Sequence, residues 1–134
     1  HDMNFLLAKI KPNFINRIDK FADKKKSMNV KDMEKIYSNT NFAPCPAGFF
    51  HPESYRIYEA LQCGAIPIVE SVYNYFDNIY PNNPLIKIKK WNEAKEIVDN
   101  WSHDKILYKR KECFNWWNQY LSDHKNFVRK KIYE

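Results

Sequence analysis

Glycine is scarce: the 134 residues hold two, Gly48 and Gly64. Turns must therefore be built mostly from residues that carry a Cβ, and each glycine marks a place where backbone freedom or close approach is needed. No stretch approaches eighteen uninterrupted apolar residues, so no membrane-spanning helix is expected, and the N-terminus lacks the charged, apolar and small-residue order of a secretory signal. The segment is expected to be soluble and free of membrane contact, and its sequence names no compartment. Cys45, Cys63 and Cys113 form no CxxC pair, and an odd count argues against a disulfide framework, so reduced and packed thiols are expected. Cys45, His51 and Cys63 fit no common zinc spacing and lack a fourth ligand, so no metal site is expected. No Asp-x-Asp motif occurs. The sharpest local scarcity is of positive charge: between Asn41 and Ile86 the only Lys or Arg is Arg56.

What is present points to a folded domain. The chain is 44% hydrophobic and 16% aromatic, which excludes a low-complexity or disordered segment, and its length suits one domain spanning residues 1–134. His1-Asp2-Met3 reads as a cloning remnant ahead of an internal start, with the native protein expected to be longer. A net charge of +6 first suggests a polyanion partner. Its distribution disfavours nucleic acid. Residues 1–28 and 88–134 each carry +4, whereas 41–87 carry −2, with Arg56 and Lys87 outnumbered by Glu53, Glu59, Glu70 and Asp77. The terminal cations, Lys109, Arg110 and Lys111 among them, read as solvated helix faces and turns.

Periodicity predicts a short helix over 4–10, a strand near 12–18, a polar loop at 23–27 and a helix capped by Asn29 with Met33, Ile36 and Tyr37 on one face. The apolar run 42–45 reads as a buried strand. Pro52 suits a first helical position and Gly64 the residue past a helix end, which predicts a helix over 52–63. Residues 65–70 follow as a buried strand whose Pro67 belongs at a strand end or bulge. A strand at 85–90, a helix at 91–101 and one long helix, or two broken near Ser122, from 104 to 133 complete the chain. This alternating α/β order predicts a parallel sheet with flanking helices, and such sheets bind ligands beyond the carboxyl ends of their strands.

On the 52–63 helix, Ile57, Ala60 and Leu61 cluster on one side while Arg56, Glu59 and Cys63 share a flank. The unpaired first-turn amides, the positive end of the helix dipole and a planar guanidinium make a receptor for a phosphate or diphosphate. Glu59 is able to accept two ribose hydroxyls. Plainer roles stand beside these. Arg56 and Glu59 have the spacing of a surface ion pair. Glu53 suits a first-turn dipole partner, facing solvent or sugar. His51 is either a loop residue or a phosphate donor, with a role as acid or base its third option, and Ser54 is either a phosphate hydroxyl or a cap. Gly48 suits a turn with positive φ that also brings backbone close to a ligand, and Glu70 either reaches the crevice or ends its strand in water. Tyr55, Tyr58, Trp116 and Trp117 read as packing residues.

Residues 42–70, FAPCPAGFFHPESYRIYEALQCGAIPIVE, resemble the nucleotide-sugar-binding motif of exostosin-like glycosyltransferases, in the branch that holds ribitol xylosyltransferases and related viral and microbial proteins. Ser54, Arg56, Glu59, Ala60, Leu61, Gly64, Ile66 and Pro67 fall on the pattern. The resemblance implies a GT-B enzyme of two Rossmann-like domains, of which this chain is the C-terminal, donor-binding one and the N-terminal acceptor domain is absent. It implies inverting sugar transfer from a nucleoside-diphosphate sugar to a glycan or protein acceptor, with no cofactor. Carried over by position, Arg56 contacts the diphosphate, Glu59 the ribose or sugar hydroxyls, and the Gly48 loop with Ser54 the phosphates. Many relatives have Arg where Ala47 stands, so one cation is missing. The catalytic base is expected on the other domain, His51 being the sole candidate within this chain. A fucosyltransferase-like enzyme, a basic α/β nucleic-acid-binding domain and a non-catalytic interaction module are the rival readings.

Overall fold

The computed structural model describes residues 9–10, 13–14, 27–48, 50–71 and 73–134. Most of the helix expected over 4–10, of the strand near 12–18 and of the 23–27 loop lies outside them.

The first described helix, α1 (Val30–Ser38), starts where Asn29 accepts the Asp32 backbone N–H at 2.9 Å, the capping contact its sequence called for. Met33, Ile36 and Tyr37 are half-buried on its inner face. Strand β1 (Phe42–Cys45) follows, with Ala43 and Cys45 pointing into the core.

Helix α2 (Tyr55–Gln62) begins three residues later than Pro52 implied: Pro52 and Glu53 are outside the helix, and Ser54, extended at φ −137° and ψ 152°, is its N-cap. Its end is as the glycine predicted. Gly64 adopts φ +76°, the Ala65 N–H donates to the Ala60 carbonyl at 2.9 Å and the Gly64 N–H to Leu61 at 3.2 Å, so a Schellman turn closes the helix. Ile57, Ala60 and Leu61 are fully buried against the sheet.

Strand β2 (Ile66–Glu70) is the central one, paired in parallel with β1 through Phe42↔Ile66 to Cys45↔Val69 and with β3 (Ile86–Ile88) through Ile68↔Ile86 to Glu70↔Ile88. Pro67 therefore lies inside a central strand rather than at an end or bulge. Its tolerance has a geometric reason. The Ile66 N–H donates to Asn41 on the β1 side, and the Ser71 N–H donates to Ile88 on the β3 side. Since successive residues of a strand face alternate neighbours, the missing N–H of Pro67 faces β3, whose pairing starts only at Ile68.

Between β2 and β3 lies a short helix absent from the sequence reading, α3 (Tyr75–Ile79), entered through Tyr73 and Asn74, both at φ 56°. Phe76 anchors it in the core, fully buried. Helix α4 (Trp91–Asn100) packs beside β3 by Trp91 and Ala94 and is opened by Glu93, which accepts the Lys89 and Lys90 backbone N–H groups at 3.2 and 3.0 Å. The last helix, α5 (His103–Tyr133), is one unbroken rod of 31 residues. Ile106, Cys113 and Trp117 bury against α2 and β2, and beyond Leu121 every residue is exposed.

Arg110 of α5 is not on a solvated face. Its Nε donates to the Gly64 carbonyl at 2.7 Å, one terminal nitrogen to the Asn41 side chain at 3.3 Å and the other to the Ser38 carbonyl at 3.1 Å. One guanidinium thus joins the end of α1, the start of β1 and the turn after α2. No helix of the described residues is long and apolar enough to cross a membrane.

Candidate functional site

Parallel pairing puts the ends of β1 and β2 side by side, so the loop 46–53 and the start of α2 lie beyond the carboxyl edge of the sheet. The start of α2 is incompletely capped. The Ile57 N–H is taken by the Ser54 carbonyl at 3.1 Å, but the Ser54 side chain makes no capping bond, and the Tyr55 and Arg56 amides have no acceptor among the described residues. Ser54 is only 8% exposed and its Oγ is buried without a hydrogen-bond partner. A buried hydroxyl without a partner costs about 1–3 kcal/mol, which makes this an unusual way to begin a helix.

Arg56 occupies the first turn and is exposed. It forms no ion pair with Glu59 or any other described residue, and its guanidinium lies over the Tyr55 ring with the centroid at 5.6 Å. The surface ion pair suggested by spacing is therefore not formed. Burial raises the pKa values of Tyr37, Cys45 and Glu59, and the field of Arg56 acts against it, lowering them. Burial pushes Tyr37 and Cys45 up to about 12 each and raises Glu59 above the ordinary carboxylate value. Arg56, Glu59, Tyr37 and the end of β1 thus share one flank, with Cys63 beside Glu59 and Glu34.

The other expected site residues fall as follows. His51 is exposed in the loop. Gly48 does not take a positive φ, contrary to expectation; a Cβ there would meet the Glu53 carbonyl at 3.1 Å and the His51 carbonyl at 3.3 Å, so its lack of a side chain allows the loop to close on itself. Glu53 is not a first-turn residue. It precedes the cap, and its carboxylate accepts the Tyr75 hydroxyl at 3.3 Å and a short bond from the Tyr80 hydroxyl. Glu70 ends β2 half-buried. Tyr58 and Trp117 pack 5.7 Å apart, as expected of core aromatics, and Trp116 stacks on Tyr120 at 5.1 Å, but Tyr55 is 62% exposed and is not packed against the core. Tyr75 and Tyr80 were not singled out from sequence; no local pattern marks a tyrosine whose partner is more than twenty residues away. Among the described residues no group of three or more His, Cys, Asp or Glu is placed to hold a metal ion.

The family described as "RXYLT1 C-terminal domain" matches residues 6–133, nearly the whole chain. The chain belongs to this family. The mouse (Mus musculus) protein named ribitol-5-phosphate xylosyltransferase 1 is 26% identical over 114 residues, which cover 72% of this chain and 26% of that protein. The chain thus spans about a quarter of the length of that curated relative. No solved structure matches it. The sequence resemblance and the family agree on an exostosin-like, ribitol-xylosyltransferase-like domain, and the α/β expectation is met by a small three-stranded parallel sheet with flanking helices.

Proposed function

We propose that this chain is the nucleotide-sugar-binding domain of an inverting glycosyltransferase, the C-terminal half of a GT-B enzyme whose N-terminal domain supplies the acceptor site and the catalytic base. The observation that carries the reading is the start of α2: two free amides, an unpartnered Ser54 hydroxyl and an exposed, unpaired Arg56 converge on one helix end. A diphosphate would accept from the amides and from the guanidinium, and the helix dipole favours its charge. These groups bind the donor and, as the glycosidic bond breaks, stabilise the negative charge that collects on the leaving diphosphate. Glu59, half-buried and without a hydrogen-bond partner among the described residues, accepts ribose or sugar hydroxyls on the same flank. The Gly48 loop and His51 close the phosphate side, and Glu70 borders the crevice from β2. With Ala47 rather than a cation in the loop, the diphosphate depends on one arginine. By the name of the mouse relative, the transferred sugar is xylose and the acceptor a ribitol phosphate.

Titration of UDP and GDP against the wild type and Arg56→Ala tests this. The expected result is micromolar to millimolar binding of one nucleotide that the variant weakens. Equal binding by both proteins removes the role of Arg56, and binding of DNA with a steep salt dependence and no nucleotide preference favours a nucleic-acid-binding domain instead.

A further inference from the structure

Glu53 is a carboxylate next door to the proposed diphosphate site, where an unrestrained negative charge would oppose the ligand. The structure holds it elsewhere. Tyr80 Oη donates to one Glu53 oxygen and Tyr75 Oη to the other, the latter at 3.3 Å. The Tyr80 oxygen is also hydrogen-bonded to the Tyr58 hydroxyl. A phenol has one proton to give, so once Tyr80 donates to Glu53 the Tyr58 hydroxyl must donate to Tyr80. The order is therefore Tyr58 to Tyr80 to Glu53. Tyr80 is 5% exposed and packs edge-on against Trp116 and Tyr120 of α5, which fixes where its hydroxyl points.

Tyr58 belongs to α2 itself. It lies two residues beyond Arg56, which is about 200° around the helix. The chain of hydroxyls therefore draws the Glu53 carboxylate toward the side of α2 opposite Arg56. Gly48 fits the same arrangement, since its missing Cβ leaves room for the Glu53 carbonyl.

We infer that the hydroxyls of Tyr58, Tyr75 and Tyr80 form a clamp that positions Glu53 away from the anion site and keeps its carboxylate from competing for Arg56. The inference rests on the diphosphate reading of the α2 start. These tyrosines are positioning residues and touch no ligand.

The test is binding of UDP and of inorganic pyrophosphate to the 134-residue chain, with thermal melts to establish that each variant is folded. Tyr80→Phe removes the shorter bond and is expected to weaken both ligands about three- to tenfold; Tyr75→Phe, which removes the longer one, weakens them less. Adding Glu53→Gln to Tyr80→Phe removes the freed charge and is expected to return affinity to within about twofold of the wild type. A clamp whose role is only structural would show no such restoration, because the second substitution repairs no packing. Wild-type affinity in a folded Tyr80→Phe, or an unrestored double variant, overturns the clamp while an intact Arg56→Ala effect leaves the anion site standing. Should Tyr80→Phe not fold, the Tyr75→Phe pair with and without Glu53→Gln decides by the same comparison. Wild-type protein that binds neither ligand overturns both readings.

Discussion

Arg56 is the one cation within a long acidic span, and it stands exposed and unpaired in the first turn of a helix whose leading amides are also free. Under the proposed function, Arg56→Ala weakens nucleoside-diphosphate binding by about 1.5–3 kcal/mol, the usual worth of a charge-assisted contact, as isothermal titration would read it. The same guanidinium controls Glu59. Burial raises the Glu59 pKa above 4.5 and Arg56 opposes the rise. A raised folded-state value means the stability contributed by this group is complete below the unfolded pKa and is lost as pH rises through the folded one. Removing Arg56 takes away the lowering influence, so the Glu59 midpoint moves further up in Arg56→Ala, measurable by side-chain carboxyl NMR. The cysteines give a third residue-level expectation. Burial pushes Cys45 and Cys113 up to about 12, and both are inaccessible, whereas Cys63 is half-buried with a thiol raised by burial and by Glu34 and Glu59. An aromatic disulfide reagent at neutral pH should modify Cys63 first, and the other two only on unfolding. Faster reaction at Cys45 would contradict the burial of β1.

Among the elements, those defined by local pattern matched it: the Asn29-capped α1, the apolar strands β1 and β2, the alternating β3 and the amphipathic α4. The start of α2 did not, and the reason lies outside the helix. Pro52 permits a first-turn position, but Glu53 is drawn aside by hydroxyls that arrive from α3 and from Tyr80, so the helix begins only after Ser54. Helix α3 was illegible for a similar reason, since its five residues are fixed by the burial of Phe76 rather than by periodicity. The end of α2 is a position where sequence and backbone agree. Gly64→Ala forces a side chain into φ +76° and is expected to lower stability by about 1 kcal/mol, seen as a lower urea midpoint at unchanged slope. Arg110→Met is expected to cost more, about 1–3 kcal/mol, because two carbonyls and an asparagine oxygen lose their shared donor. An unchanged midpoint would mean water replaces that donor freely.

For the molecule as a whole, the core lies where α2, the three strands and the first half of α5 meet, and the exposed residues 124–134 extend α5 past it. Ending the chain after Asp123 is expected to reduce helical circular dichroism while shifting unfolding free energy by less than about 0.5 kcal/mol, as changes to exposed positions do. The sequence by itself determined the α/β order, most of the elements and the stretch 42–70 that carries the family likeness, because these depend on residue periodicity, on caps and on glycine or proline within a few positions of one another. Only the tertiary structure decided that Pro67 sits in a central strand, that Arg110 ties three elements and is no solvated cation, that Arg56 stays unpaired, and that Glu53 is held by tyrosines more than twenty residues away. Apart from the unpaired Arg56, each of these is a contact between segments distant in the chain, and such contacts leave no local pattern because their partners are chosen by packing.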